Sequence, residues 1–529
     1  MGTYINPGNS AFSEIIKSDY VDKTAMIHLI NKTIGTSYKL TCISRPRRFG
    51  KSYAAQMLSA YYDCSCDSNK LFESCKITDA PDYSVHLNQY NVLYLDISGF
   101  ISDLQRQHLP VSNVTIQILK NIREEMIKEF PELAECPDVS DCFVSFVEKT
   151  GRKFIFIIDE WDAVIRETGK DQPTQKAYLN LLRSWFKNGN FTPKVVAAAY
   201  MTGILPIKKD GSQSAISDFT EYPVLFPGRF GEFTGFTESE VRKLCKQHDL
   251  DFQKIKHWYD GYYFPECGSV YNPYSVMQAI RNRKCRSYWQ KTSAAESLMT
   301  YINMDFDGLQ EMIVRLISGE SVSVDVDTYE NDFETFKNKD DVLTLLIHLG
   351  YLSYCEDDKT VHIPNEEVAG EFQQILKGTS DNAKWIQLLQ KSDTLLENTI
   401  SGNEYAVAEA ISEIRNTEYA PTFYNDEQAL RYIIKFAYIA AIEKYVKVEE
   451  LPSGHGLADV VYIPKRNSVY PALVIELKWN QSASGAIKQI LDRNYPAVLQ
   501  DFGGEIVLVG ISYDSSSKNH SCKIKTISV

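Results

Sequence analysis

What the chain has little of narrows the field first. No run of apolar residues is long enough to cross a bilayer, and Met1 to Ser10 is mostly polar, with no charged-then-apolar leader and no small-residue cleavage site. A cytoplasmic protein without a membrane span is therefore expected. The 11 cysteines are odd in number and none shows Cys-x-x-Cys spacing. Cys64 and Cys66 stand apart from other metal ligands, so reduced thiols fit better than a zinc site or a disulfide framework. Positive charge is in the minority: 56 Lys and Arg against 69 Asp and Glu leave a net −13, which argues against coating nucleic acid by bulk electrostatics. Charge is unevenly spread, acidic from Asp325 to Asp341 and basic at Arg45, Arg47, Arg48 and Lys51. With 44% apolar and 24% charged residues the 529-residue chain reads as globular and long enough for about three domains.

What is present centres on Ser44-Arg45-Pro46-Arg47-Arg48-Phe49-Gly50-Lys51-Ser52, between a strand-like run, Tyr38 to Ile43, and a helix-like run, Tyr53 to Tyr62. A loop ending in Gly-Lys-Ser where a strand turns into a helix aims several backbone N–H groups at one point. The helix dipole and the lysine add positive charge there, so that point binds phosphate. Gly50 lets the backbone approach closely, Lys51 would reach the β- and γ-phosphates, and the Ser52 hydroxyl would ligate Mg²⁺. The spacing is that of a P-loop, except that Arg45 stands where the general pattern has its first glycine. Downstream, Phe154 to Ile158 is a continuous apolar run that ends in Asp159-Glu160-Trp161-Asp162. Such a strand is buried on both faces and opens on a ligand site at its C-terminal end. Asp159 would hold Mg²⁺ through water and Glu160 would polarise the attacking water. A buried strand followed by a solvated acidic turn has the same composition.

Apolar runs at Asn91 to Ser98 and Lys194 to Met201 alternate with helix-like stretches at Asn113 to Glu129, Val139 to Lys149 and Thr174 to Lys187. Strands alternating with helices imply crossover units and a largely parallel sheet, with Asp96, Asp159 and Thr202 at its carboxyl edge. Thr202 fits a position that senses the γ-phosphate, and equally a helix cap. Arg229 could serve as an arginine finger or be a solvated loop residue. Tyr20-Val21-Asp22-Lys23-Thr24, the Arg45 to Ser52 loop, Asp159-Glu160, Thr202-Gly203-Ile204 and Trp258-Tyr259-Asp260-Gly261-Tyr262 occur in order. Together they resemble the AAA-ATPase-like proteins, whose Arg-Pro-Arg-Arg-x-Gly-Lys-Ser loop replaces the glycine-rich one. That resemblance implies ATP and Mg²⁺ as cofactors, with Arg47, Arg48, Phe49, Gly50, Lys51, Ser52, Asp159 and Thr202 around the nucleotide. It also implies that Tyr20 to Thr24 borders the base, although an N-capped helix start reads the same way. Phe236 to Glu240 signals a capped helix, and the aromatic stretch through Tyr274 suggests the packing surface of a lid. Gly350 to His362 suggests a hairpin among helices, and Val342 to Ile347 a core segment.

In the C-terminal part, Asn425-Asp426-Glu427 opens a helix, Gly456-Leu457-Ala458-Asp459 enters one strand, and Glu476-Leu477-Lys478 lies in the next after a turn at Pro464 to Ser468. A further helix carries Gln489, with Tyr495 beyond it. This order resembles the PD-(D/E)XK nuclease core, as it does in that family. Strand side chains alternate faces, so Glu476 and Lys478 point the same way and Leu477 the other. Asp459 on the neighbouring strand could then share a Mg²⁺ with Glu476, Glu427 could complete the site, and Lys478 could position the attacking water. Glu476 and Lys478 could also be a charge pair at a sheet edge.

The expected fold class is α/β: a P-loop NTPase domain with a parallel sheet over 1–225, a helical lid over 226–285, a helical spacer over 286–416, and a restriction-endonuclease-like domain over 417–529. The expected function is an ATPase, with Glu160 catalytic, coupled to Mg²⁺-dependent hydrolysis of nucleic acid, DNA by preference, through Asp459, Glu476 and Lys478. The competing expectation is a nucleotide-dependent switch or scaffold whose C-terminal domain binds nucleic acid or a protein without cutting. A homo-oligomer is compatible with either.

Overall fold

The computed structural model describes residues 2–207, 209–210, 213–214, 216, 218–289, 309–317, 319–330, 336–377, 383–418, 427–453, 456–464, 470–492 and 504–528. The chain forms two compact units, one from Met1–Ala294 and Ser323–Val368, the other from Ala295–Val322 and Ala369–Val529. Residues 286–416, expected as one spacer, therefore contribute to both. Among the described residues no helix is long and apolar enough to cross a membrane.

The first unit is built on a sheet of β1 (Leu40–Ser44), β2 (Asn91–Asp96), β3 (Phe154–Asp159), β4 (Val196–Gly203) and the short strand Thr220–Tyr222, in the order β2-β3-β4-β1-Thr220–Tyr222. Every neighbouring pair is parallel, as the alternation of strands and helices requires. β1, β3 and β4 are buried at every residue, which is why they read as unbroken apolar runs. Side chains alternate across the sheet. Phe154, Phe156 and Ile158 join one core beneath the helices Val114–Glu129, Val139–Thr150 and Gln172–Phe186. Ile155 and Ile157 join the other, with α1 (Ser10–Ile16), α2 (Met26–Asn31) and α3 (Lys51–Tyr62). Asp96 pairs in register with Asp159, Ile158 with Met201, and Ile43 with Thr202, so the polar ends of β2, β3 and β4 share one edge.

The 226–285 segment is mixed rather than helical. Its helices Glu238–His248, Phe252–Tyr259 and Pro273–Asn282 pack with a three-stranded antiparallel sheet of Phe236–Thr237, Gly268–Tyr271 and Tyr262–Phe264. Aromatic residues that read as lid surface, such as Tyr262 and Tyr271, are strand residues with buried rings. The expected cap is a reciprocal Thr237–Glu240 capping box. Val342 to Ile347 lies buried in the helix Lys339–Leu349, and Ser353–Cys355 pairs with Thr360–His362 as the expected hairpin.

The second unit has a five-stranded sheet in chain order: Tyr445–Ser453, Gly456–Pro464, Ala472–Trp479, Glu505–Asp514 and Asn519–Ser528. Its third and fourth strands are parallel, joined through the helix Ala483–Asp492, and the other pairs are antiparallel. Asn425, Asp426, Tyr495 and residues 465–468 of the expected turn lie outside the described residues.

Candidate functional site

β1 hands the chain to α3 through a loop whose shape depends on two left-handed residues. Gly50 caps α3 at φ +85°, a conformation that disfavours any Cβ, and Arg48 adopts φ +71° without being glycine. Arg48 is held there by its guanidinium, 4.0 Å over the Tyr274 ring and 3.2 Å from the Tyr288 carbonyl it donates to. Arg45, which replaces the first glycine, is fully buried and braces the loop. Its Nε donates to Thr234 Oγ1 at 2.8 Å, and its Nη1 donates to the carbonyls of Ser44 at 2.9 Å and Tyr222 at 2.7 Å. Burial pushes its pKa down to about 10. Phe49 packs edge-on against Tyr262 with ring centres 5.2 Å apart.

Lys51 stands in the first turn of α3, and its Nζ donates to the carbonyls of Arg45 at 3.1 Å and Pro46 at 3.0 Å. It lies 3.9 Å from Glu160 Oε1. Burial pulls the Lys51 pKa down, opposed by Glu160, Asp159 and Asp162. Asp159, at the end of β3, accepts a hydrogen bond from Thr202 Oγ1 at 3.1 Å. Burial raises its carboxyl to about 6, although the Ser52 hydroxyl hydrogen-bonded to it pulls the other way. A buried carboxylate beside a serine hydroxyl at a phosphate loop is a hard-oxygen donor set and fits Mg²⁺.

Glu160 takes the left-handed backbone, φ +53°, and its Oε2 accepts from Arg166 Nη2. Burial works to raise its pKa, but the Lys51, Arg166 and Arg47 cations outweigh it and hold the carboxyl below its usual range. Asp162 accepts the backbone N–H of Ile204 at 3.0 Å and Leu205 at 2.8 Å, and lies 3.2 Å from Arg166 Nε. The sequence singles out Asp162 only as part of the acidic strand end, and gives no sign of Arg166 beside it beyond their i, i+4 spacing.

A cavity of about 350 Å³ opens over the loop. Arg48, Phe49, Gly50, Lys51, Ser52 and Glu160 line it, as do Tyr20, Val21 and Lys23 of the segment expected to border a base. Asp159 and Thr202 stand behind Ser52 through the hydrogen bonds already given. Arg229 stacks near its own neighbours, 5.9 Å from the Tyr222 ring centre and 5.5 Å from that of Phe230, and is not part of the lining.

In the second unit, the antiparallel pairing of Val460 with Ile475 and Val461 with Val474 puts Asp459 opposite Glu476 on one face of the sheet. Val461 and Val474 on that face join a core with Ile490 of the helix Ala483–Asp492. Lys478 Nζ donates to Glu476 Oε1 at 3.1 Å, and Gln489 Nε2 donates to the same oxygen. Asp459 Oδ2 accepts from Leu477 N at 2.8 Å, and Oδ1 accepts from Arg431 Nη2. Glu427 does not join them: among the described residues no group of three or more His, Cys, Asp or Glu side chains is placed to hold a metal ion. What the helix Glu427–Ala437 sends to Asp459 is Arg431, one turn further on. Two facing carboxylates still suit a Mg²⁺ that takes its remaining ligands from water and substrate phosphate.

Residues 7–212 match the model of a family described as predicted AAA-ATPase, AAA-ATPase-like. No curated protein matches the chain. Among solved structures, a Walker-type ATPase of Pyrococcus abyssi is similar at 12% identity over 66% of this chain and 94% of its own, with a TM-score of 0.32. The Aeropyrum pernix ORC2 protein, solved as ADPNP–ADP complexes, is similar at 10% identity over 69% of this chain and 98% of its own, also at 0.32. At those scores neither likeness carries an argument about this chain. The family match spans the loop, the acidic strand end and Thr202 alike.

Proposed function

We propose that the first unit binds Mg²⁺-ATP and hydrolyses it, and that the C-terminal unit cleaves phosphodiester bonds in nucleic acid, with DNA the favoured substrate. The observation that carries the first part is Lys51, Ser52 and Glu160 on one cavity wall with Asp159 directly behind Ser52. Lys51 exchanges the Arg45 and Pro46 carbonyls for β- and γ-phosphate oxygens, and the backbone N–H groups at the start of α3 hold the rest of the phosphate chain. Glu160, held as a carboxylate, orients a water toward the γ-phosphorus and accepts its proton, while Thr202 links phosphate occupancy to Asp159. Ser52 and Asp159 would hold Mg²⁺, which when bound neutralises charge on the phosphates.

The second part rests on Asp459, Glu476 and Lys478 facing one another on one side of a sheet. Asp459 and Glu476 would hold Mg²⁺ there, and Lys478 would orient the attacking water or stabilise the developing anion. One feature favours the alternative of a non-cutting switch: Asp459 and Glu476 are already engaged by Arg431, Lys478 and Gln489. Labelled duplex DNA incubated with the full chain, ATP and Mg²⁺ decides between them. Cleavage lost in Lys478→Ala and Asp459→Ala supports the nuclease. Cleavage equal to wild type in both variants removes Asp459 and Lys478 as the cutting residues, and no cleavage by wild type while Lys51→Ala abolishes DNA retention leaves the switch.

A further inference from the structure

We propose that Arg166 is a positioning residue that holds Glu160 in its working place and couples it to the Thr202 strand end. The inference rests on the ATPase reading and on Glu160 as the group that orients water. Arg166 lies on the helix Ala163–Thr168 with only 8% of its side chain exposed, and it pairs with Glu160 and Asp162 at once. A planar guanidinium that donates to one carboxylate and lies against a second is held in two directions, which a single ammonium is not.

Asp162, the second anchor, is itself tied to the backbone. Its carboxylate takes the N–H groups of Ile204 at 3.0 Å and Leu205 at 2.8 Å, and Trp161 N donates to the Thr202 carbonyl at 2.9 Å. The two turns are pressed together at Gly203, where a Cβ would stand 2.7 Å from the Trp161 ring and 2.8 Å from Asp162 Oδ1. Thr202, the Trp161–Asp162 turn, Arg166 and Glu160 are thus linked by hydrogen bonds, close packing and the Asp162–Arg166 ion pair, from the phosphate-sensing position to the water-orienting one.

Arg166 also decides a competition. Glu160 Oε1 is 3.9 Å from Lys51 Nζ, near enough that an untethered carboxylate would close on the lysine. With Arg166 holding Oε2, Glu160 stays on the cavity wall and Lys51 keeps its carbonyl partners. When Lys51 turns to phosphate, Arg166 remains to fix Glu160. A phosphate chain carries more charge than one carboxylate and still takes Lys51 from a released Glu160, so loss of Arg166 changes nucleotide binding little, whereas displacing the water-orienting carboxylate by an ångström costs about hundredfold in rate.

The test is a double-mutant cycle on the full chain, read by steady-state phosphate release and by binding of a fluorescent ATP analogue. In Arg166→Gln, kcat should fall about hundredfold while the dissociation constant moves by less than about threefold, and retained binding also reports a folded site. Arg166→Lys should recover about tenfold of that loss by holding Glu160 alone. In a Glu160→Gln background, Arg166→Gln should slow phosphate release no further. The proposal is overturned if Arg166→Gln turns over within about threefold of wild type, or if its effect multiplies with that of Glu160→Gln. Should Arg166→Gln fail to fold, Arg166→Lys decides alone, with wild-type kcat counting against. A wild type that releases no phosphate, or a Glu160→Gln variant as fast as wild type, is a separate result that removes the ATPase reading and this inference together.

Discussion

Lys51 gives its hydrogen bonds to two backbone carbonyls, whereas Lys478 gives its to the carboxylate of Glu476. Carbonyls are weak competitors for an ammonium, so the first lysine would yield readily to an anionic ligand. The second is already spent on an acid, and Asp459 beside it is met by Arg431. The acids differ as well. Asp159 is buried without a full counter-charge and rises to about 6, so its site gains from an added cation. Asp459 and Glu476 carry their own cations, and a metal ion must compete with Arg431 and Lys478. Strand-end carboxylates with a lysine in reach can therefore make a site open to ligand or one neutralised from within, and their partners distinguish the two.

Two arginines, Arg45 fully buried and Arg431 part-buried, sharpen this contrast. Arg45→Ala removes three hydrogen bonds from a fully buried guanidinium and should cost about 4 kcal/mol in the first unit, read by denaturant unfolding. Acidification should separate the units next. Burial, helped by the Arg415 cation, lowers His520 from 6.5 to about 4, with Nδ1 2.9 Å from Ser412 Oγ. Its depressed folded pKa gives stability that is present above about 6.5 and is lost as pH falls toward 4, about 3 kcal/mol in all. Asp159 runs the other way: raised from 3.8 to about 6, its burial cost is present above 6 and is relieved as pH falls. Calorimetry between pH 6.5 and 4.5 should show the C-terminal transition drop relative to the first, and a first-unit transition that falls faster would break the comparison. The smallest effect is expected for Arg431→Ala, about 2 kcal/mol in the C-terminal unit, because Asp459 keeps the Leu477 N–H.

Much of this was legible in the residues. Continuous apolar runs ending in Asp96, Asp159 and Thr202 announced a parallel sheet and its polar edge, since only strands covered on both faces are so uniformly apolar. The Glu-x-Lys spacing gave the shared face of Glu476 and Lys478 through the period of a strand. Other features depend on contacts distant in sequence. That Arg45 replaces a glycine by bracing the loop rests on Thr234 and the Tyr222 carbonyl, far along the chain. The strands Tyr262–Phe264 and Gly268–Tyr271 of the lid are too short to show alternation, so its sequence suggests helices alone. Chain order suggests Glu427 as the companion of the acids, but the helix phase brings Arg431 to Asp459 instead.

The central claim is that Lys51 sits in the phosphate end of a nucleotide cavity, and titration of wild type and Lys51→Ala with a fluorescent Mg²⁺-bound ATP analogue tests it most directly. Saturable binding by wild type should weaken about hundredfold in the variant, the loss of about 3 kcal/mol expected when a cationic donor to phosphate is removed. Equal affinity in the two proteins, or no binding by wild type, would contradict it.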